Sequence, residues 1–251
     1  MAPTLLIDVD GTISDSLAGI QASFRTAMEA VDHPVPDDAF LGTLAGPPMR
    51  DSMAKIGLTG ERLDDAMRAY RARQTDGGWA DTRMFPGWPE LLDGWRADGI
   101  RLATATSKGG HFARKVLAEF GILDRFDFIG AADDGGERSQ KDDVIEHTLR
   151  VLGLPADKRD VVDGTGDGAG AVANGGAGAV AGGEGGTLPG TLPGVVMIGD
   201  RIHDLHGARA FGVPCILVGW GYGPDDERER ADAVAGSPEE LDRLVRQMLG
   251  L

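Results

Sequence analysis

Thr4-Leu5-Leu6-Ile7-Asp8-Val9-Asp10-Gly11-Thr12 opens the chain with a short, largely apolar run that ends in two carboxylates and a glycine. A continuous apolar run of this length, bounded by turn residues, predicts a buried strand of a parallel sheet. Parallel α/β sheets bind ligands at the carboxyl edge of their strands, so such a strand would deliver Asp8 and Asp10 to that edge. Gly11 would let the backbone turn tightly beside them. Taken alone, the Asp-x-Asp-Gly pattern is equally that of a turn with acidic capping residues, and the rest of the chain has to decide between the two.

The remaining strand candidates are Arg101–Ala105, Phe126–Gly130, Val195–Ile198 and Cys215–Val218, with helical patterns between most of them. Alternation of this kind predicts an α/β, Rossmann-like parallel sheet with crossover helices. Gly99, Gly121, Gly153 and Gly212 each follow an amphipathic run, as glycine does just past a helix end. About ninety residues separate the first strand from the second, whereas a βαβ crossover needs only a few tens. Within that interval, Leu17-Ile20-Phe24-Met28 and Leu63-Met67-Tyr70 recur at helical spacing. Residues 16–84 are therefore expected to form an inserted all-helical domain, joined near Asp15 and near Phe85-Pro86-Gly87. Residues 1–15 and 85–251 would then form the core domain.

The interval 163–194 contains 13 glycines in 32 positions and two Thr-Leu-Pro-Gly repeats. That composition buries too little apolar surface to offset its ordering entropy and predicts a flexible insertion. Phosphate-cradling glycine loops are short and lead into a helix, whereas this segment leads into a strand.

Composition narrows the function classes. The 251 residues carry 40 acidic and 25 basic side chains, a net charge of -15, which disfavours binding to nucleic-acid backbone. No apolar stretch approaches the ~20 residues of a membrane span, so membrane insertion is not expected. Met1-Ala2-Pro3 shows no export signal, and the single cysteine, Cys215, lies in an apolar run; both favour a cytoplasmic setting. Cys215, buried in a strand, is expected to be inert. An anionic small molecule remains a possible partner, given local positive charge from a metal ion held by carboxylates.

Three predicted strands end in residues suited to such a ligand, namely Asp8, Thr106 and Asp200. In a parallel sheet these endings share one edge, where hard oxygen ligands would hold Mg²⁺ and a hydroxyl would donate to a phosphate oxygen. Ser139 is a plausible helix N-cap, which puts Lys141 in a first helical turn. There its charge opposes the helix dipole and calls for a nearby anion. Asp204 suits a helix cap or support of the metal. His203 and His206 fit surface or packing roles better than ligation at an oxygen-rich site.

With these residues in view, the chain resembles the haloacid dehalogenase superfamily of phosphohydrolases, in the branch similar to phosphoglycolate phosphatases with a helical cap. The matching motifs are Asp8-Val9-Asp10-Gly11-Thr12, Ala105-Thr106-Ser107-Lys108, Lys141 at the head of Asp142-Asp143-Val144-Ile145, and Gly199-Asp200-Arg201-Ile202-His203-Asp204. The resemblance implies that Asp8 is the nucleophile, forming an aspartyl-phosphate, and that Asp10 is the acid/base. It implies Mg²⁺ on the Asp8 carboxylate, the Asp10 backbone carbonyl and Asp200, supported by Asp204. Thr106, Ser107 and Lys141 would hold the phosphoryl group. Arg50, in the cap stretch Leu44-Ala45-Gly46-Pro47-Pro48-Met49-Arg50, would meet the rest of a small anionic phosphate ester. The implied protein is a monomer or homodimer whose helical cap closes over the sheet edge.

Thr106-Ser107-Lys108 and Lys141-Asp142 depart from the Thr-Asn-Lys and Lys-Pro of many phosphoglycolate-specific relatives. These departures leave the chemistry intact and open the substrate to nucleotides and sugar phosphates. A phosphomutase and a non-catalytic phosphate-binding module are the rival expectations.

Overall fold

The computed structural model describes residues 2–133, 138–159 and 191–251. A six-stranded parallel sheet forms the centre, in the order β5-β4-β1-β6-β7-β8. Its strands are β1 (Thr4–Ile7), β4 (Arg101–Gly109), β5 (Phe128–Ala132), β6 (Val195–Gly199), β7 (Cys215–Val218) and β8 (Ala233–Ala235). The middle position of β1 explains its unbroken burial: all four residues are covered, and β4 and β6 pair on either side. Ile7 is in register with Thr104 and with Ile198, so the three neighbouring strands reach the carboxyl edge together.

Helices cover both faces. On one, α5 (Trp88–Ala97) and α10 (Pro238–Leu249) bury Trp88, Leu92, Trp95, Leu241 and Val245 against Leu5, Ile7, Val196 and Ile198. On the other, α7 (Lys141–Val151) and α8 (Ile202–Arg209) bury Val144, Ile145, Leu149 and Leu205 against Leu6, Ala103 and Met197. Gly99, Gly121, Gly153 and Gly212 all have positive φ, as expected just past helix ends.

Most of the long interval between β1 and β4 forms a helical cap with an apolar cluster of its own. It contains α1 (Leu17–Ala30), α2 (Asp38–Leu41), α3 (Met49–Lys55) and α4 (Gly60–Thr75), followed by a single 3-10 turn at Gly78–Ala80. Ile20, Phe24 and Met28 of α1 meet Leu63, Ala66 and Met67 of α4, which realises the two helical periodicities. The chain enters and leaves this unit through two short antiparallel strands, β2 (Ser14–Asp15) and β3 (Arg83–Met84), with Ser14 opposite Met84.

Four local expectations need correction. Strand β5 starts two residues later than expected, because Phe126 and Asp127 complete the turn out of a 3-10 segment at Leu123–Arg125. Strand β4 runs on to Gly109 through a register shift after Thr106. The N-cap of α7 is Gln140, not Ser139, and forms a reciprocal capping box with Asp143. The edge strand β8, three residues long, is an addition to the five strands expected. The expected flexible insertion over 163–194 lies outside the described residues except at 191–194, where Leu192 is buried and Gly194 accepts a hydrogen bond from Thr4 N at 2.8 Å.

Candidate active site

At the carboxyl edge, Asp8 follows β1, Asp200 follows β6, and the first turn of α8 carries Asp204. Their side chains offer oxygens that all lie within 4.8 Å of one another, and all three residues are buried. Backbone crowding holds them there. Gly11 (φ 84°), Gly221 and Gly223 press against Asp200, and Gly199 against Asp204, so closely that a Cβ at any of them would overlap. Asp204 Oδ2 accepts from the backbone N–H groups of Asp200 (3.1 Å) and Arg201 (3.0 Å), and Asp200 Oδ2 from Tyr222 N (2.7 Å). The capping geometry expected of Asp204 is therefore present. Its other oxygen, Oδ1, and Asp8 Oδ1 meet the ammonium of Lys141, whereas Asp200 Oδ1 is buried with no partner among the described residues.

Lys141 closes the cluster from α7. It is 5% exposed, with Nζ 2.8 Å from Asp204 Oδ1, 3.0 Å from Asp8 Oδ1 and 2.9 Å from the Ala105 carbonyl. The anion that its place in a first helical turn called for is thus a pair of carboxylates. Burial alone would push this ammonium down, but Asp204 and Asp8 outweigh it and hold the group above the usual lysine range. Burial pushes Asp8 from 3.8 up to about 6, with Asp204 and Asp10 adding to the rise and Lys141 opposing it. Burial, then Asp204 and Asp8, lift Asp200 well above the usual carboxylate range. Three buried carboxylates against one contacting ammonium leave surplus negative charge and, at Asp200 Oδ1, an oxygen without a partner. Such a donor set fits a hard divalent cation, which would relieve both.

Asp10 stands apart from this cluster. Its carboxylate takes two contacts from Lys108 Nζ (2.8 and 2.9 Å) and hydrogen bonds from Ser16 Oγ (2.6 Å) and Ser14 Oγ (3.3 Å). It nevertheless lines the same cavity as Asp8, Thr106 and Ser107. Thr106 is buried, and Ser107 Oγ is buried with no partner. The cavity, about 400 Å³, is roofed by the cap residues Ile20, Leu44, Met49, Met67 and Tyr70 and also touches Arg50. The Arg50 guanidinium is half exposed and already paired with Asp64 at 2.6 Å. His203 and His206 lie outside the carboxylate group.

Two contributors are invisible to a reading of the sequence. Lys108 shows there only as the last letter of a motif; its approach to Asp10 depends on the irregular extension of β4. Tyr222 carries no signal at all, since the partners of its phenol lie more than two hundred residues away.

A family model described as haloacid dehalogenase-like hydrolase matches residues 5–175, and a second HAD-hydrolase-like model matches 186–242. The chain belongs to the haloacid dehalogenase-like hydrolase family. Among its relatives, tyrosine-protein kinase PtkA of Mycobacterium tuberculosis is 36% identical over the whole chain, which spans 74% of that protein. A 5'-nucleotidase of Pseudomonas aeruginosa is 33% identical over 90% of this chain and 86% of its own. A phosphoglycolate phosphatase of Nitrosococcus oceani is more distant, at 24% identity over 97% and 96% of the two chains. Among solved structures, a predicted phosphatase from Clostridium acetobutylicum superposes over the full length of both chains, with a TM-score of 0.78 and 26% identity. The chain is thus a haloacid dehalogenase-like hydrolase with the sheet and helical cap of that family, and no helix among the described residues is long and apolar enough to cross a membrane.

Proposed function

We propose that this hydrolase is a Mg²⁺-dependent phosphatase of small phosphomonoesters. The observation that carries the reading is the buried group Asp8, Lys141, Asp200 and Asp204, from which Asp8 reaches a cavity that Asp10 and Thr106 also line. Asp8 attacks phosphorus, the ester P–O bond breaks, and Asp10 gives its proton to the departing alkoxide. Asp10 then takes a proton from water as the water attacks phosphorus, releasing inorganic phosphate and restoring the Asp8 carboxylate. Thr106 and Ser107 donate to phosphoryl oxygens, and Lys141 offsets charge on Asp8 and the transferring group. Mg²⁺, held by the Asp8 and Asp200 carboxylates and the Asp10 carbonyl with Asp204 in support, would neutralise the repulsion between nucleophile and phosphate. Lys108 fixes the direction of the Asp10 carboxylate. Residues 16–84 act as the cap that excludes bulk water from this chemistry.

The cavity supports a leaving group larger than glycolate. A space of about 400 Å³ with an apolar cap face suits a nucleoside, and it lies within the ~300–1,000 Å³ typical of sites for drug-sized ligands. The departures at Ser107 and Asp142 and the nucleotidase among the relatives agree with this. Purified protein, with Mg²⁺ or with chelator, should be tested against nucleoside 5'-monophosphates, 2-phosphoglycolate, sugar phosphates and phosphotyrosine. Mg²⁺-dependent phosphate release, fastest with nucleotides, is the expected result; no release from any ester would overturn the reading. The relative named a tyrosine-protein kinase supports a second reading, transfer of the phosphoryl group to a tyrosyl hydroxyl. A tyrosine-containing peptide in the same assay separates the two: labelled peptide in place of free phosphate would favour transfer.

A further inference from the structure

Tyr222 lies in the loop after β7, yet its ring packs against the apolar cluster of the cap. Its phenol oxygen accepts from the backbone N–H groups of Ser16 (2.7 Å) and Leu17 (3.0 Å) and donates to Asp15 Oδ1 (2.9 Å). These three residues join β2 to α1, where the chain passes into the cap. The first amides of a helix have no partner within it and are ordinarily capped by a side chain such as serine. Ser16 occupies that position in α1 but makes no capping bond, because its hydroxyl is turned to Asp10 Oδ1 at 2.6 Å. The phenol of Tyr222 therefore caps α1 from outside and leaves Ser16 free to hold Asp10. At the other end of the same residue, Tyr222 N donates to Asp200 Oδ2 at 2.7 Å. Gly221 and Gly223 allow the close approach that this needs, since a Cβ at either would overlap Asp200.

We propose that Tyr222 is a positioning residue that sets Asp10 against Asp200: its phenol pins the cap entrance, and through Ser16 the Asp10 carboxylate, while its main-chain N–H pins Asp200. The proposal rests on the roles given above to Asp10 and Asp200. It splits the residue into two separable parts, because Tyr222→Phe removes the phenol bonds and keeps both the N–H and the ring.

The test compares Tyr222→Phe with wild type in three measurements. Hydrogen exchange should show the Ser16 and Leu17 amides exchanging about tenfold faster or more in the variant, as expected for lost buried hydrogen bonds. The value of kcat/KM, which reports only the steps through departure of the leaving group, should fall about tenfold with glycerol phosphate and much less with p-nitrophenyl phosphate, whose phenolate leaves without a proton from Asp10. The Mg²⁺ concentration for half-saturation, read by calorimetry, should stay unchanged, since the Asp200 contact survives. Unchanged exchange overturns the proposal, as does an equal loss on both esters, which is the mark of a merely structural role. A parallel shift in Mg²⁺ affinity overturns the separation of the two parts. Should wild type release no phosphate, the phosphatase reading fails, while faster exchange at Ser16 and Leu17 still registers the clamp.

Discussion

Replacing Lys141 by methionine keeps the length of the side chain and removes the ammonium that contacts both Asp8 and Asp204. Lys141 and Asp8 are 5% and 2% exposed, so the abandoned carboxylates have little water to turn to. Breaking a buried ion pair by removing one partner costs about 3–5 kcal/mol. For a chain of this size each kcal/mol lowers the melting temperature by roughly 2–4 °C, so a fall of roughly 6–20 °C is expected at pH 7.5 in chelator. Two conditions should shrink the loss. At pH 5 the Asp8 and Asp200 carboxyls, already raised by burial and in the variant no longer facing Lys141, are protonated in the folded protein while still ionised in the unfolded chain, so stability returns. Saturating Mg²⁺ should supply part of the missing positive charge. Scanning fluorimetry of both proteins at pH 5.0 and 7.5, with chelator and with Mg²⁺, reads all four cases. A variant that melts within a degree or two of wild type at pH 7.5 in chelator would refute the reasoning, because the ammonium would then not be holding the carboxylates together.

Three further outcomes follow from the same geometry. Asp8→Asn should abolish phosphate release in a single-turnover assay, and turnover at the wild-type rate would remove Asp8 from the role of nucleophile. Asp200→Asn deletes one of the crowded charges, so the metal-free protein should melt higher than wild type while losing its stabilisation by Mg²⁺; a lower melting point in chelator would contradict the crowding argument. Metal-free wild type should gain stability as pH falls from 7.5 toward 5. The Asp8 carboxyl titrates at about 6 when folded and near 3.8 when unfolded, and ionising it costs the fold about 3 kcal/mol above that range. Lys141 stays charged in both states across this window and adds no slope. Chemical denaturation at a series of pH values measures the trend, and a flat or opposite slope would refute it.

The parts of this molecule legible in its sequence are those governed by burial and by neighbours along the chain. Strand β1 is visible because a middle strand is buried on both faces and so largely apolar, and the four helix-ending glycines because left-handed backbone selects that residue. Strands β2, β3 and β8 have two or three residues each, too few for any periodicity, and escape notice as strands although β2 and β3 fall where the cap linkers are expected. Among the site residues, Asp8, Lys141, Asp200 and Asp204 announce themselves as polar groups at strand or helix ends. Arg50 does lie beside the cavity, but its ion pair with Asp64 has no trace in local sequence. Lys108 and Tyr222 depend on an irregular strand end and on a loop folded back across the cap, features of tertiary structure without a local pattern.

The side-by-side strands β2 and β3 mean that the polypeptide crosses from one body to the other at a single place. Whatever lies beyond that crossing can be lengthened, shortened or exchanged for another module while the sheet below keeps its register. Selection acting on which molecules are accepted then has a separate territory from selection acting on bond cleavage.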